Sequence, residues 1–276
     1  MIDHRSKAAG FGPPFPESPM SRPVTPSSVR RVTVITGGSR GIGAATALRL
    51  ARDGHRVGLG YAKDEEAAQR TAQAVREAGG EAVAVRMDTS DAADVDRLFD
   101  TVRDALGPIT GLVNNAGVSG PLGRFTETSP EVMRRVVEVN VTGALLCARR
   151  ALREMSTAYG GSGGAVVNIS SAAATLGSPG EYVHYAASKA AVDAMTVGLA
   201  KEFTGEGVRV NCVQPGSVLT EMHAVMGDPD RPWKKARITP AGRPGEPEEI
   251  ADAVAWLLSD EASYTSGAVL RVAGGL

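Results

Sequence analysis

The sequence has only two cysteines in 276 residues, Cys147 and Cys212, and both stand in apolar stretches. Two isolated thiols exclude a disulfide framework and read as buried side chains of a reducing cytoplasm. An excess of one charge is also missing, since the formal net charge is −1. Such a balance offers no footprint for nucleic acid or an anionic membrane. No apolar run approaches the roughly 18 residues that would span a bilayer. The histidines (His4, His55, His184 and His223) are scattered without ligand spacing, so no catalytic metal is expected. With 42% hydrophobic residues, the chain suits one soluble globular domain with a good-sized core, or at most two small ones.

Residues 1–30 are rich in Pro, Ser and Gly with little hydrophobic periodicity. They are expected to form a disordered N-terminal extension, and they lack the apolar core of a secretion signal. The folded domain then covers residues 31–276. Glycine is plentiful there: the chain has 33, well above the average share of about 7%. Its excess falls in turns between periodic segments. Strands are expected near 31–36, 55–61, 81–87, 110–115, 165–170, 208–216 and 267–272. Helices are expected near 44–54, 65–78, 91–106, 130–157, 182–204 and 247–259. This alternation predicts an α/β fold, a single doubly wound parallel sheet with helices on both faces and right-handed crossovers. Ligands of such sheets bind beyond the carboxyl ends of the strands, so the informative turns follow strands one, four, five and six.

"TGGSRGIG" (36–43) follows strand one and opens a helix. Gly37, Gly41 and Gly43 let the backbone pass close to a pyrophosphate, and the helix N-terminus adds free N–H groups. "NNAG" (114–117) follows strand four, where Asn115 can bond backbone while Ala116 and Gly117 leave room for a ligand. "NISS" (168–171) ends strand five and offers a hydroxyl, Ser171, to polarise a carbonyl. "VNVTG" (139–143) puts Asn140 inside a helix, where asparagine is a poor former; a water site or backbone contact would explain it, a tolerated surface residue being the default. In "EYVHYAASKA" (181–190), Tyr185 and Lys189 are four apart and share a helical face. A nearby ammonium favours the phenolate, which would make Tyr185 a proton donor and acceptor near neutrality. "QPGSVLT" (214–220) ends strand six, with Pro215-Gly216 forcing a turn and Thr220 within reach of a phosphate or amide.

In this order, Gly37/Gly41/Gly43, Asn114–Gly117, Asn140, Ser171, Tyr185, Lys189 and Pro215-Gly216 resemble the short-chain dehydrogenase/reductase family in its compact one-domain form. The resemblance runs from about residue 31 to the end, with the glucose dehydrogenase and 3-oxoacyl reductase branches nearest. It implies a Rossmann domain with a seven-stranded parallel sheet. It also implies Tyr185 as catalytic acid/base, and Lys189 as the group that lowers its pKa and holds the nicotinamide ribose. Ser171 would orient the carbonyl, and Asn140 would anchor a relay water. Gly37, Ser39, Arg40, Gly41, Ile42 and Gly43 would hold the pyrophosphate end. Tyr61, Lys63, Asp88, Thr89, Asn115, Ala116 and Gly117 would flank the rest of the dinucleotide. Pro215, Gly216, Val218 and Thr220 would meet the nicotinamide end, where Tyr185 and Lys189 also contact it.

The resemblance further implies a homotetramer, pairing through the helices at 130–157 and 182–204 and the C-terminal segment. Tyr182, with no cation four residues on, lines the pocket or packs. Ser171 lies 14 residues before Tyr185 where the family often shows 13, which places one extra residue near "SPGEY" (178–182). Thr110 stands where many members have an acid, which would alter support of the adenine pocket. The basic run "RPWKKARI" (231–238) reads as a solvated loop face. It lies where the family places its substrate lid, which makes Met222, His223, Met226 and Trp233 candidates for substrate contact.

The implied activity is hydride transfer between NADP(H) and a small-molecule carbonyl/alcohol pair, with NAD(H) as the lesser cofactor. Strand two ends "GLGYAKD" without an acid at the expected place for a ribose 2′-hydroxyl, while Arg40 and Lys63 could reach a 2′-phosphate. An epimerase-like enzyme or a non-catalytic nucleotide sensor or scaffold of the same fold are the alternatives.

Overall fold

The computed structural model describes residues 31–276; the reading of residues 1–30 as disordered lies outside the described residues. The strands are β1 (Val32–Thr36), β2 (Arg56–Tyr61), β3 (Ala82–Arg86), β4 (Gly111–Asn114), β5 (Gly164–Ile169), β6 (Val208–Pro215) and β7 (Val269–Val272). They form one all-parallel sheet in the order β3-β2-β1-β4-β5-β6-β7. Chain order reverses between β1 and β4, which opens a crevice at their carboxyl ends. The helices are α1 (Gly41–Arg52), α2 (Glu65–Glu77), α3 (Ala92–Leu106), α4 (Pro130–Val137), α5 (Ala144–Met155), α6 (Ala173–Leu176), α7 (Val183–Phe203), α8 (Met222–Val225), α9 (Arg231–Ala236) and α10 (Pro247–Leu258).

Successive strand residues face opposite sides, so each central strand serves two cores. Ile35, Leu59, Val113, Val167 and Val213 pack with Leu50 of α1, Val75 of α2 and Val254 of α10. Val34, Leu112, Val166 and Val210 pack with Phe99 of α3, Cys147 of α5 and Ala200 of α7. Burial on both faces is why the central strands are rich in Val, Ile and Leu rather than strictly alternating with charged residues. Both cysteines are buried, and burial pushes each thiol up to about 12, which leaves them unreactive.

Three expectations need correction. The long helix at 130–157 is interrupted: α4 and α5 are joined by a π-helical turn, Glu138–Gly143. That turn carries Asn140, which is buried rather than a tolerated surface residue. Thr110 sits at the amino end of β4, where its Oγ1 accepts from the Val32 amide at 3.1 Å. It braces the end of the sheet opposite the crevice, so it does not bear on an adenine pocket there. The basic run from 231 is partly helical, and Arg231 is buried. Helices of four and six residues such as α8 and α9 are too short for periodicity to reveal.

His55 follows α1, with its Nδ1 2.9 Å from Thr33 Oγ1. Burial holds its imidazole down to about 4 from the ordinary 6.5, and the Arg31 charge adds to this. The unfolded chain therefore takes up this proton below about pH 6.5, and the folded chain only near pH 4. Stability is complete above that window and is lost as the pH falls through it, by roughly 3 kcal/mol at its foot. Melting temperatures between pH 7 and 4 should fall less steeply for His55→Gln. Equal slopes would remove His55 as a cause.

Candidate active site

The crevice is built first from backbone. Residues 37–40 connect β1 to α1, with Gly37 and Gly41 at positive φ. Gly38 N donates to Gly60 O at 3.0 Å, and Thr71 Oγ1 donates to Ser39 O at 3.1 Å, so β2 and α2 both hold the turn. From β4, Asn115 Nδ2 donates to the carbonyls of Thr36 and Gly37, each at 3.0 Å. Thr36 Oγ1 in turn accepts the amides of Asn115 and Ala116, each at 3.0 Å. The glycine turn and "NNAG" are thus one braced unit. Ile42 turns its side chain toward the core, leaving its backbone at the helix start. Thr220 closes over the turn from the far side, since a Cβ on Gly41 would lie 3.2 Å from its methyl.

Other dinucleotide candidates scatter more. Arg40 and Lys63 are exposed, and no side-chain hydrogen bond or ion pair joins either to another described residue. Tyr61 is buried at the end of β2. Asp88 is already engaged by Ser90 and by Arg135 Nη2 at 2.8 Å; burial alone would raise its pKa, but these bonds hold it below the ordinary value. Thr89 is buried beside Gly143 of the π turn. Gly216 lies against Ala273, and Pro215 O accepts from Ala172 N at 2.9 Å, so this pair braces the end of β6. Val218 is buried, and its carbonyl lies 3.0 Å from His223 Nε2.

The polar side chains converge from three elements. The π turn aims Asn140 at the loop after β4, where its Oδ1 accepts from Val118 N and its Nδ2 donates to Val118 O, both at 2.8 Å. Asn140 Nδ2 also donates to Ser188 Oγ at 3.0 Å. Lys189 Nζ donates to Ile169 O at 2.8 Å and lies 5.7 Å from the Tyr185 ring centroid. A Cβ on Gly117 would sit 3.3 Å from both Asn140 Oδ1 and Lys189 Nζ. Ser170 turns inward to Lys189 O at 2.9 Å, while the Ser171 hydroxyl faces the Tyr185 phenol. Gly177, Ser178 and Gly180 all have positive φ, a tight excursion in the loop where an extra residue was expected.

Burial pushes the Tyr185 phenol above its ordinary value and Tyr182 adds to this, while Ser171 and Arg231 pull it down. Lys189, expected to lower it as well, lies 5.7 Å from the Tyr185 ring centroid with its ammonium on the Ile169 carbonyl, and burial lowers its own pKa to about 8. Tyr182 is also buried, edge-to-face with Tyr185 at 5.1 Å, and its hydroxyl accepts from Arg231 Nη2. Met226 is buried against the pair with Met222 alongside; Trp233 is exposed, and His223 turns to Val218. Sequence reasoning missed Glu181 and Arg231, and no local pattern distinguishes a buried arginine within a basic run. Among the described residues there is no cluster of His, Cys, Asp or Glu that could hold a metal.

A family profile described as enoyl-(acyl carrier protein) reductase matches residues 37–276. An uncharacterized oxidoreductase of Escherichia coli, YgfF, is 46% identical over 88% of this chain and 99% of its own. The 3β-hydroxysteroid dehydrogenase 1 of Eggerthella lenta is 40% identical over 89% of this chain and 93% of its own. A solved structure of levodione reductase superposes with a TM-score of 0.82 at 33% identity, covering 89% and 96% of the two chains. The chain belongs to the short-chain dehydrogenases/reductases.

As a short-chain dehydrogenase/reductase it is an NAD(P)-dependent enzyme acting on CH–OH donors and carbonyl acceptors of small-molecule size. The residues present fit such a cofactor. The space that a Cβ on Gly117 would fill is bounded by Asn140 and Lys189, and a Cβ on Gly43 would lie 2.2 Å from Gly37 O, so the turn is drawn as tight as glycine permits.

Proposed function

We propose that this short-chain dehydrogenase/reductase interconverts a ketone and a secondary alcohol with NADP(H), and that Tyr185 moves the proton. The convergence of Ser171, Tyr185, Lys189 and Asn140 at the carboxyl ends of β4 and β5 carries the reading. A bound nicotinamide supplies or accepts the hydride. Ser171 hydrogen-bonds the carbonyl oxygen and orients it toward the phenol. Tyr185 donates its proton to that oxygen in reduction and recovers it from the alcohol in oxidation. Lys189, with one of its three N–H groups on Ile169, has donors left for a ribose. Asn140 secures the loop after β4 that faces Lys189.

The wall beside Tyr185 is Leu122, Ala173, Tyr182, Met222 and Met226, which favours an apolar carbonyl over a sugar. The names of the steroid dehydrogenase and levodione reductase relatives fit that preference. A panel of cyclic ketones, sugars and 3-oxoacyl thioesters, followed at 340 nm, tests it. Turnover confined to sugars would overturn it.

Preference for NADP(H) is supported by what surrounds the end of β2. Asp64 is turned to its own helix, where its Oδ1 accepts from Ala67 N at 2.9 Å, while Arg40 and Lys63 stand exposed nearby. A charge-assisted bond to a 2′-phosphate is worth roughly a ten- to hundredfold preference. Arg40→Ala should raise KM for NADP(H) by that order and leave KM for NAD(H) nearly unchanged. Equal use of both cofactors by the parent, with no selective loss in the variant, would sink the assignment.

A homotetramer is supported by exposed Val137 and Leu145 around the π turn and α5, and by Val197 on α7. Light scattering measures it. A cytoplasmic setting is proposed from the buried free thiols, and among the described residues no helix is long and apolar enough to cross a membrane.

A further inference from the structure

One buried cation beside the site has no part in the chemistry above. Arg231, on α9, is 6% exposed, and its guanidinium lies 4.9 Å from the Tyr182 ring centroid. Nη2 donates to Glu181 Oε2 at 2.6 Å and to the Tyr182 hydroxyl. Its Nε is buried without a hydrogen-bond partner among the described residues. Burying a guanidinium is unfavourable unless it is paired and held, and a solvated loop has no need of one. Glu181 is gripped a second time, by Lys235 Nζ at 2.6 Å. Contacts therefore run without a break from Glu181 through Arg231 and Tyr182 to Tyr185, with Met222 and Met226 of the same segment against the rings.

We propose that Arg231 is a positioning residue for Tyr185: anchored by Glu181, it fastens the α8–α9 segment onto Tyr182 and so sets the ring and the charge beside the reacting phenol. This rests on the reading of Tyr185 as the acid/base. The groups that face Tyr185 are Tyr182 and Lys189 from its own helix and its cap, Ser171 from the end of β5, and Arg231 from α9. Glu181 and Lys235 stand behind Arg231. Of these, Tyr182 raises the phenol, and Ser171 and Arg231 lower it. Losing the Arg231 charge therefore moves Tyr185 further up.

Arg231→Met keeps the side chain's bulk, and Glu181 keeps Lys235 as a partner, which limits the cost of leaving a half-buried carboxylate unpaired. Hydrogen exchange in the full chain should quicken at 181–186 and 222–236. With the fastest ketone of the panel, kcat should fall by about tenfold, the worth of one charge-assisted bond, with little change in KM. The limb where ketone reduction declines should move to higher pH. Arg231→Lys restores the charge but not the fork, so it should return the pH limb while exchange stays fast. Parent-like exchange in Arg231→Met, or an unchanged kcat and pH limb, would overturn the proposal. If Arg231→Met does not fold, Glu181→Gln must show the same quickened exchange, and parent-like exchange there is equally fatal. Full activity in Tyr185→Phe would sink the acid/base reading instead, with exchange still judging the latch.

Discussion

Tyr185→Phe should lower turnover by about 10²- to 10⁴-fold, the usual worth of a positioned general acid, and leave cofactor titrations nearly unchanged. The ring itself is a packing element, edge-to-face with Tyr182 at 5.1 Å and in contact with Met226. Phenylalanine keeps all of that and loses only the hydroxyl that Ser171 faces. Lys189 stays bonded to Ile169 O, so the cofactor end of the site is undisturbed. Tyr182→Phe makes the contrast. It forfeits the bond from Arg231 but keeps the ring under the guanidinium, and its loss should be far smaller. Substantial activity in Tyr185→Phe would place the proton donor elsewhere.

Gly43→Ala should abolish cofactor binding and lower the melting temperature. The added carbon would lie 2.2 Å from Gly37 O and 2.8 Å from Asn115 Nδ2. Neither neighbour can yield, because one is backbone and the other is the amide that ties β4 to the turn. Overpacking of this kind typically costs about 1–3 kcal/mol, and contact with backbone belongs at the upper end. For a domain of this size that is roughly 6–12 °C. Gly198→Ala is the control: it sits in α7, where a Cβ would meet nothing within 4 Å. That change should be neutral or stabilising. A parent-like melting curve and cofactor titration for Gly43→Ala would show that the turn can shift where the geometry says it cannot.

The sheet was legible because its central strands are buried on both faces and its helices carry apolar stripes, so periodicity and length pointed the same way. The turns at 36–43, 114–117, 168–171 and 214–220 were legible because each stands at the carboxyl end of a strand. What escaped has physical causes. The π turn looks like ordinary helix in sequence, and only Asn140, a poor helix former, hinted at it. Thr110 was misjudged because a residue preceding a motif was taken to lie beside the ligand, whereas the full length of β4 separates them. Arg231 was taken for a solvated charge because its partners, Glu181 and Tyr182, are about 50 residues away along the chain. Lys189 was given its charge effect on Tyr185 from helical spacing and from the family resemblance, and its bond to Ile169 O was not foreseen. Spacing says which face a side chain shares but not which carbonyl it turns to.

The π turn also bears on how this chain tolerates change in length. Surface helices usually absorb a deleted residue by fraying or shifting at an end. Between Glu138 and Gly143 a deletion would instead let the backbone anneal into a continuous α-helix. Each residue of register turns a helical side chain by about 100°, which would carry Asn140 away from Val118. The core composition would hardly change. A stretch that reads as ordinary helix in the sequence is therefore poorly editable, since Val139, Asn140 and Gly143 are buried within it, and an alignment that opens a gap there describes a different site.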